Sequence, residues 1–405
     1  MVYFSERVMS DPVADPVVIV AAVRTPMGGM LGDFASLSAS DLGAVAVKAA
    51  VERAGLKPEH IEEVILGNCL MAGQGQAPAR QATLKAGLPK SVAALTITKM
   101  CGSGMKATQL AHDEIMAGTR EIVVAGGMES MTNAPHMLTK ARTGYRYGAG
   151  QLLDHMATDG LEDAYEKGKP MGFFAENCAA KYSFTREAQD AFAIASTMRA
   201  QEATKSGAFK WEVAPVTVKG KAGDIAIDVD EQPPKAKLDK IPGLKPAFVK
   251  DGTITAANAS SISDGAAALV LMKQSKAAAL GLTPLAKIVG HAEHSQEPEW
   301  FTTAPVGAMK NLFKKTGWTA NDVDLFEINE AFAVVTMAAM KEFDIPHSKV
   351  NIHGGACALG HPIGASGARI IVTLIGALKK TGGKKGVAAL CIGGGEAISM
   401  AIEMF

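Results

Sequence analysis

Three stretches in the first third of the chain recur, in the same order, in its last third. PVVIVAAVRT from Pro16 resembles PLAKIVGHAEH from Pro284, AGLKPEHIEEVILGN from Ala54 resembles TGWTANDVDLFEIN from Thr316, and EIVVAGGMES from Glu121 resembles GVAALCIGGGEA from Gly386. The offset stays between about 262 and 268 positions. Self-similarity of this kind marks two copies of one supersecondary plan, so any fold for the chain must build that plan twice. Within the first copy, apolar runs alternate with helical patterns. Val17–Ala22, Val64–Leu66, Ala94–Thr98 and a Glu121–Gly127 run ending in glycine read as strands, while Leu42–Ala54 has apolar residues at helical spacing. The alternation predicts an α/β protein with buried sheets.

The copies differ at one point. In the second, CIGGG runs directly into a closing strand, EAISMAIEM. In the first, about 130 residues separate AGGMES from the similar strand GAAALVLM at Gly265. The chain therefore divides into a first half of residues 1–131 plus 262–283, an inserted segment 132–261, and a second half 284–405. The insertion is rich in Pro, Lys, Asp and aromatic residues, as in GYRYG, QPPKAK and IPGLKP. A long excursion of that composition reads as a lid or binding platform.

Several function classes are excluded by composition. Lys+Arg and Asp+Glu both number 41, so no global charge points to nucleic acid or to an anionic membrane surface. The opening MVYFSERVMSDPVADP carries acids and no long apolar run, unlike a signal peptide, and later apolar stretches such as Ala331–Met340 are too short to span a bilayer. Five scattered cysteines, Cys69, Cys101, Cys178, Cys357 and Cys391, do not make a disulfide framework, which favours a reducing cytoplasm. His291 and His294 are the one close histidine pair in sequence and lack the further ligands of a closed zinc site, so no metal is expected.

The sharpest chemical signal is KMCGSGMKA, Lys99 to Ala107. Cys101 stands between a strand and a helical pattern, Met105 to Met116, where helix-terminal N–H groups favour a thiolate and small neighbours admit a substrate carbonyl. Acyl-thioester formation is the natural chemistry of such a thiol. The alternatives are a buried packing cysteine and a dinucleotide fingerprint in Gly102-Ser-Gly104-x-x-Ala107, which the bulk of Met100 and Lys106 disfavours. NIHGGACALGHPIGASGAR, Asn351 to Arg369, holds the equivalent place in the second copy. Its His361, between Gly360 and Pro362, has the proton affinity of a base at neutral pH. If the copies pack about a pseudo-twofold axis, the Cys101 and His361 loops meet at its centre. Cys391 in LCIGGG is either a second acid/base thiol beside glycine N–H donors or a strand-core cysteine. Asn329 in FEINEAFA is either a helix N-cap or a catalytic dipole. Cys69, Cys178 and Cys357 read as packing residues.

Together these segments resemble the thiolase family, most closely its biosynthetic, acetyl-CoA acetyltransferase branch. RTPMG, KMCGSGMKA, VVAGGMESM, MGFFAEN, TAANASSISDGAAALVLM, NEAFA, GGACALGHPIGASGAR and CIGGG appear in family order from Val17 to the end. The resemblance implies the thiolase fold: two βαβαβαββ halves in a five-layered αβαβα body with an inserted loop domain that binds CoA. It implies ping-pong chemistry in which Cys101 is acetylated with His361 as base and Cys391 deprotonates a second acetyl-CoA, giving acetoacetyl-CoA and CoA. One oxyanion hole would use His361 with a water held by Asn329, the other the N–H groups of Cys101 and Gly393. Ser260 would lie beside the pantetheine, with Met171, Phe248, Ala256, Ala331 and Phe332 lining its channel. CoA thioesters are then substrates and no cofactor is needed, and the family implies a homotetramer or homodimer.

One departure stands out. Where the biosynthetic branch carries His before Met-Gly in the loop domain, this chain has Pro170, followed after Met171-Gly172 by Phe173-Phe174. The expected consequence is a broader or shifted acyl range, as in a 3-ketoacyl-CoA thiolase. A ketoacyl-synthase-like or HMG-CoA-synthase-like condensing enzyme is disfavoured by the GHP histidine together with the CIGGG cysteine. A non-catalytic acyl-CoA-binding relative is disfavoured by the presence of Cys101, His361, Cys391 and Asn329 together.

Overall fold

Nine strands form the backbone of the molecule: β1 (Val17–Arg24), β2 (Glu63–Gly67), β3 (Ala93–Ile97), β4 (Ile122–Ser130), β5 (Ser263–Lys273), β6 (Ala286–Ser295), β7 (Leu325–Ile328), β8 (Lys385–Ile392) and β9 (Glu396–Met404). They hydrogen-bond in the order β7-β8-β9-β6-β1-β5-β4-β2-β3. The computed structural model describes residues 15–221 and 223–405. The opening segment that does not read as a leader therefore lies, up to residue 14, outside the described residues.

The strand order displays the duplication. Reading outward from the centre, β1, β5, β4 and β2 of the first half match β6, β9, β8 and β7 of the second. The halves join where β1 meets β6 through only Val18↔Lys287 and Ile19↔Ala286. In both halves the outer pairs are parallel (β2 with β4, β7 with β8) and the inner ones antiparallel. The copies diverge at the far edge: β3 is a full strand beside β2, whereas its counterpart is a single parallel bridge, Phe326↔Val350.

Helices α1 (Ala39–Arg53), α2 (Pro78–Lys85), α3 (Ser103–Ala117), α4 (Met171–Tyr182), α5 (Arg186–Lys205), α6 (Ala304–Thr316), α7 (Ala333–Phe343) and α8 (Ile363–Thr381) complete the fold. α1 packs on β4 and β5 outside the first half, and α6 packs on β6 and β9 outside the second. α3 and α8 lie between the two sheet halves: α8 touches α3, β4, β5, β7 and β8. This is the five-layered αβαβα arrangement expected. Its middle layer explains the sequence of α8, which is buried without a break from Ile363 to Leu378, as a helix covered on all sides must be. β1 is buried on both faces and reads accordingly as a continuous apolar run ending in Arg24.

Glycines set how closely the middle layer packs. A Cβ on Gly104 of α3 would come within 2.7 Å of Ala368 N, and one on Gly367 of α8 within 2.4 Å of Met105 N. The helices thus meet backbone to backbone. β4 extends through Gly126 and Gly127 to Ser130 rather than ending in glycine, because its pairing with β5 runs on to Asp264↔Ser130, and a Cβ on Gly127 would lie 1.9 Å from Gly364 O. Those glycines serve close packing and do not break the strand. No helix among the described residues is long and apolar enough to cross a membrane.

Candidate active site

The turn before α3 is the first component. Ser103 Oγ donates to Met100 O at 2.7 Å and accepts from Lys99 N–H at 2.8 Å, and Gly102 N–H donates to Lys99 O at 3.0 Å. These bonds hold Met100 at φ 45°, a left-handed conformation that a branchless but bulky residue seldom adopts. The next residue, Cys101, is thereby turned inward, two positions before the helix begins. A Cβ on Gly102 would meet Ile392 at 2.5 Å, so the turn is seated on the end of β8.

The second component precedes α8. His361 N–H donates to Ser261 O, and His361 Nδ1 lies 2.5 Å from Ser366 Oγ. Ser366 Oγ is also 2.9 Å from Pro362 O, which can only accept. The single hydroxyl hydrogen must therefore serve Pro362, and Nδ1–H of the imidazole must donate to Ser366. This assigns the Nδ1–H tautomer and leaves Nε2 as the basic nitrogen. That Nε2 is buried and has no hydrogen-bond partner among the described residues, as befits an atom facing a substrate.

The third component is the β8–β9 turn. Cys391 is buried at the end of β8, and Gly394 and Gly395 carry the chain round at φ 94° and 86°, conformations that glycine adopts freely. Cys101, His361, Cys391 and Gly393 all line one cavity of about 510 Å³. Met171, Phe248, Ala256, Ser260, Ala331 and Phe332 line the same cavity. Asn329 does not. It follows β7, its N–H donates to Ala389 O at 2.9 Å, and both atoms of its buried side-chain amide lack a partner among the described residues. It is not an N-cap, because α7 begins at Ala333 after Phe332.

Burial dominates the electrostatics. The Cys101 thiol is pushed up to about 11 by desolvation, against the N–H groups of Gly393 and of Cys101 itself, which lie against the sulfur and oppose the shift. The helix-terminus effect expected from sequence is outweighed, since removing a thiolate from water costs more than a helix end two residues away returns. Burial, with the Cys101 charge second, drives Cys391 well above its usual value. His361 is lowered to about 3 by burial and by Arg369, so it is neutral at physiological pH and able to accept a proton.

Sequence reading missed much of the cavity wall. Ala157, Gly160 and Leu161 come from the insertion, whose irregular pattern carries no periodic signal, and Met131 stands just before it. Of the three remaining cysteines, Cys178 is buried in α4 and Cys357 lies against Glu330 O. Cys69 is closer to the chemistry, with its Sγ 3.3 Å from Met100 O. Among the described residues the donors that could jointly hold a metal are His112, Asp113 and His291, not the sequence pair His291 and His294. Asp113 Oδ1 accepts hydrogen bonds from both imidazoles, at 2.9 and 3.0 Å, so the group is already internally satisfied.

Residues 17–275 match the model for the thiolase N-terminal domain, and residues 282–404 that for the thiolase C-terminal domain. An acetyl-CoA acetyltransferase of Cupriavidus necator is 52% identical over 389 residues, covering 96% of this chain and 99% of its own. Acetyl-CoA acetyltransferase 2 of Arabidopsis thaliana is 50% identical over 391 residues, 96% of this chain and 97% of its own. Among solved structures, a thiolase of Ascaris suum in complex with coenzyme A superposes with a TM-score of 0.91 at 46% identity, covering 96% of this chain and 100% of its own. The acetyl-CoA acetyltransferase of Bacillus anthracis gives a TM-score of 0.94 at 41% identity, covering 96% and 99%.

Proposed function

The chain belongs to the thiolase family, and from that premise we propose that Cys101, His361 and Cys391 carry out its acetyl transfer between CoA thioesters. The chain is an acetyl-CoA acetyltransferase, joining two acetyl-CoA reversibly into acetoacetyl-CoA and CoA. The observation that carries the assignment of residues is their convergence, with Gly393, on one cavity.

The geometry supports the following sequence. His361 Nε2 takes the proton of Cys101, whose sulfur attacks the acetyl carbonyl of acetyl-CoA. The oxygen that becomes negative is met by the N–H groups of Cys101 and Gly393, already placed against the sulfur. The carbon–sulfur bond to CoA breaks, and Cys391 gives its proton to the departing CoA thiolate. In the second half, the Cys391 thiolate takes a proton from the methyl carbon of another acetyl-CoA. That carbon attacks acetyl-Cys101, the thioester bond breaks, and His361 returns its proton to Cys101. The enolate oxygen of the second acetyl-CoA is assigned to His361 and a water held by Asn329. Both Asn329 amide atoms lack a partner among the described residues and can bond that water.

Incubation with acetyl-CoA should add one acetyl mass at Cys101. Cys101→Ala should abolish the adduct, while Cys391→Ala should keep it and form no acetoacetyl-CoA. A Cys101→Ala protein that still acylates would discard the assignment.

For CoA we assign the pantetheine to the channel of Ser260, Met171, Phe248, Ala256, Ala331 and Phe332. The anionic end then reaches a neighbouring cavity of about 440 Å³, which shares Ala256 and is rimmed by Lys235, Lys237 and Lys240. Lys237→Glu with Lys240→Glu should raise KM for acetyl-CoA and leave kcat unchanged. Assembly as a homotetramer or homodimer is supported by two exposed features: the edge strand β3, with Leu95 39% accessible, and residues 136–154, where Tyr147 and Leu152 are exposed. Light scattering of the full chain tests it, and a monomer at micromolar concentration would refute it. A cytoplasmic site of action fits the five unpaired cysteines.

A second reading, toward longer acyl chains, is favoured by the wall around the thiol. Cys101 packs against a cluster of Leu70, Met131, Met156 and Ile363, and Pro170 lines the same cavity. Thiolysis of 3-ketohexanoyl-CoA should then approach that of acetoacetyl-CoA. A strong preference for the four-carbon substrate would sink it.

A further inference from the structure

Glu129 is wholly buried near the end of β4, and no step above uses it. Its Oε2 accepts the N–H groups of Cys69 at 3.0 Å and Gly364 at 2.8 Å. Its Oε1 accepts the N–H of Leu70 at 3.1 Å and the side-chain amide of Asn68 at 2.6 Å. Four donors converge on two oxygens, which is the environment of an ionised carboxylate and leaves a proton on Glu129 nothing to serve. Burial works against that charge and pushes its pKa up, while the Cys69, Leu70 and Gly364 N–H groups draw it back.

The donors belong to a loop packed against the turn that presents the nucleophile and to the first turn of the helix that follows the base. Asn68, Cys69 and Leu70 form the loop after β2. Cys69 Sγ lies 3.3 Å from Met100 O and 3.4 Å from Ser103 Oγ, the groups that shape the Cys101 turn. Gly364 stands in the first turn of α8, three residues after His361, where N–H groups have no partner within their own helix. A Cβ on Gly364 would lie 2.9 Å from both Asn68 Cα and Glu129 Oε2, so these parts meet with no room to slide.

We propose that Glu129 is a positioning residue for the reaction: its carboxylate ties the Cys101 turn and the His361 helix to one strand and so fixes the spacing between nucleophile and base. The proposal rests on the roles assigned to Cys101 and His361 above. It has an electrostatic corollary. The titratable groups facing Cys101 are Glu129 of β4, Cys69 of the adjoining loop, Cys391 of β8 and His361 ahead of α8. Glu129 supplies the negative charge among them, and it opposes a thiolate at Cys101.

Glu129→Gln and Glu129→Asp, each in the full chain, separate spacing from charge. Three quantities are read: the rate of acetyl-Cys101 formation by quenched mass spectrometry, KM for acetyl-CoA, and the rate of Cys101 alkylation by iodoacetamide at pH 8, which follows the thiolate fraction. Both variants should acylate about tenfold more slowly or worse, since small misplacements of reacting groups cost that much, with KM little changed. Glu129→Gln should alkylate several times faster because the opposing charge is gone, whereas Glu129→Asp, which keeps the charge, should alkylate at the wild-type rate. Folded Glu129→Gln protein that acylates within about twofold of wild type overturns the proposal, as does an equal rise in alkylation in both variants, the signature of general loosening. If Glu129→Gln does not fold, the acylation rate of Glu129→Asp decides by the same limit. Wild-type protein that forms no adduct on Cys101 would remove the underlying assignment, whereas a normal wild-type adduct beside an unimpaired variant removes this proposal alone.

Discussion

Cys101, raised to about 11, and His361, lowered to about 3, are each far from neutrality in the direction that keeps them uncharged. Proton transfer between them separates charge inside an apolar cavity, so its cost must be met by groups already aimed at the reacting atoms. A pH prediction follows. The competent pair is thiol plus neutral imidazole, present above the folded value of the histidine and below that of the thiol. Acylation of Cys101 should therefore be nearly flat from about pH 5 to pH 9, and a midpoint near 6.5 in presteady-state measurements would contradict the assignment. Ser366 sets the tautomer. Ser366→Ala removes a bond typically worth about 1–2 kcal/mol and should slow acylation roughly tenfold with little change in KM; an unchanged rate would mean that the imidazole is held by other contacts. The candidate nucleophile and base were legible from the sequence because a reactive residue stands between a strand and a small-residue helix. The ionisation of the thiol was not, because local chain direction speaks for the helix end, whereas burial by β8 and the insertion decides the outcome.

Among the elements, α3 and α8 are the pair on which the site depends. Their contact is made by Gly104 and Gly367, and each has a loop at its N-terminus that carries one of the proposed reacting groups. Gly367→Ala places a methyl 2.4 Å from Met105 N. Backbone cannot swing aside as a side chain can, so the helices must separate, at a cost of about 1–3 kcal/mol. A lower Tm together with a lower kcat is expected, and a variant matching wild type in both would show that the contact is slack. Glycine in these helices reads in sequence as permissiveness near a substrate. In the fold several of these glycines admit another backbone, as Gly104, Gly127 and Gly367 show.

For the molecule as a whole, the insertion must be anchored to the duplicated body, and a buried ion cluster contributes. Arg24, at the end of β1 and 0% exposed, donates from Nε to Glu212 Oε1 at 2.5 Å and through both terminal nitrogens to Asp230 at 2.6 and 2.9 Å. Both acids lie in the inserted segment. Burial alone would lower the proton affinity of the guanidinium, but the two carboxylates outweigh it and keep it charged. Arg24→Ala strands two buried carboxylates, a change that costs about 3–5 kcal/mol. Thermal unfolding should fall accordingly, and limited proteolysis should cut first within residues 132–261; an unchanged melt would mean that the insertion is held by its apolar contacts. The repeat and the alternation of strands and helices were readable from the chain, because periodicity and self-similarity are properties of neighbours in sequence. The charge cluster was not, as Arg24 stands 188 and 206 residues from its partners.

By itself, the sequence determined the two-copy plan, the elements that build it and which residues are candidates to react. These follow from hydrophobic spacing and from residue type, which act over a few positions. The tertiary structure alone decided the state of those residues: a thiol kept protonated by burial, an imidazole tautomer chosen by Ser366, an asparagine amide left without a partner among the described residues and a cysteine, Cys69, placed beside the Cys101 turn. Desolvation and hydrogen-bond direction depend on every group that closes around an atom, and here those groups come from both halves and from the insertion between them.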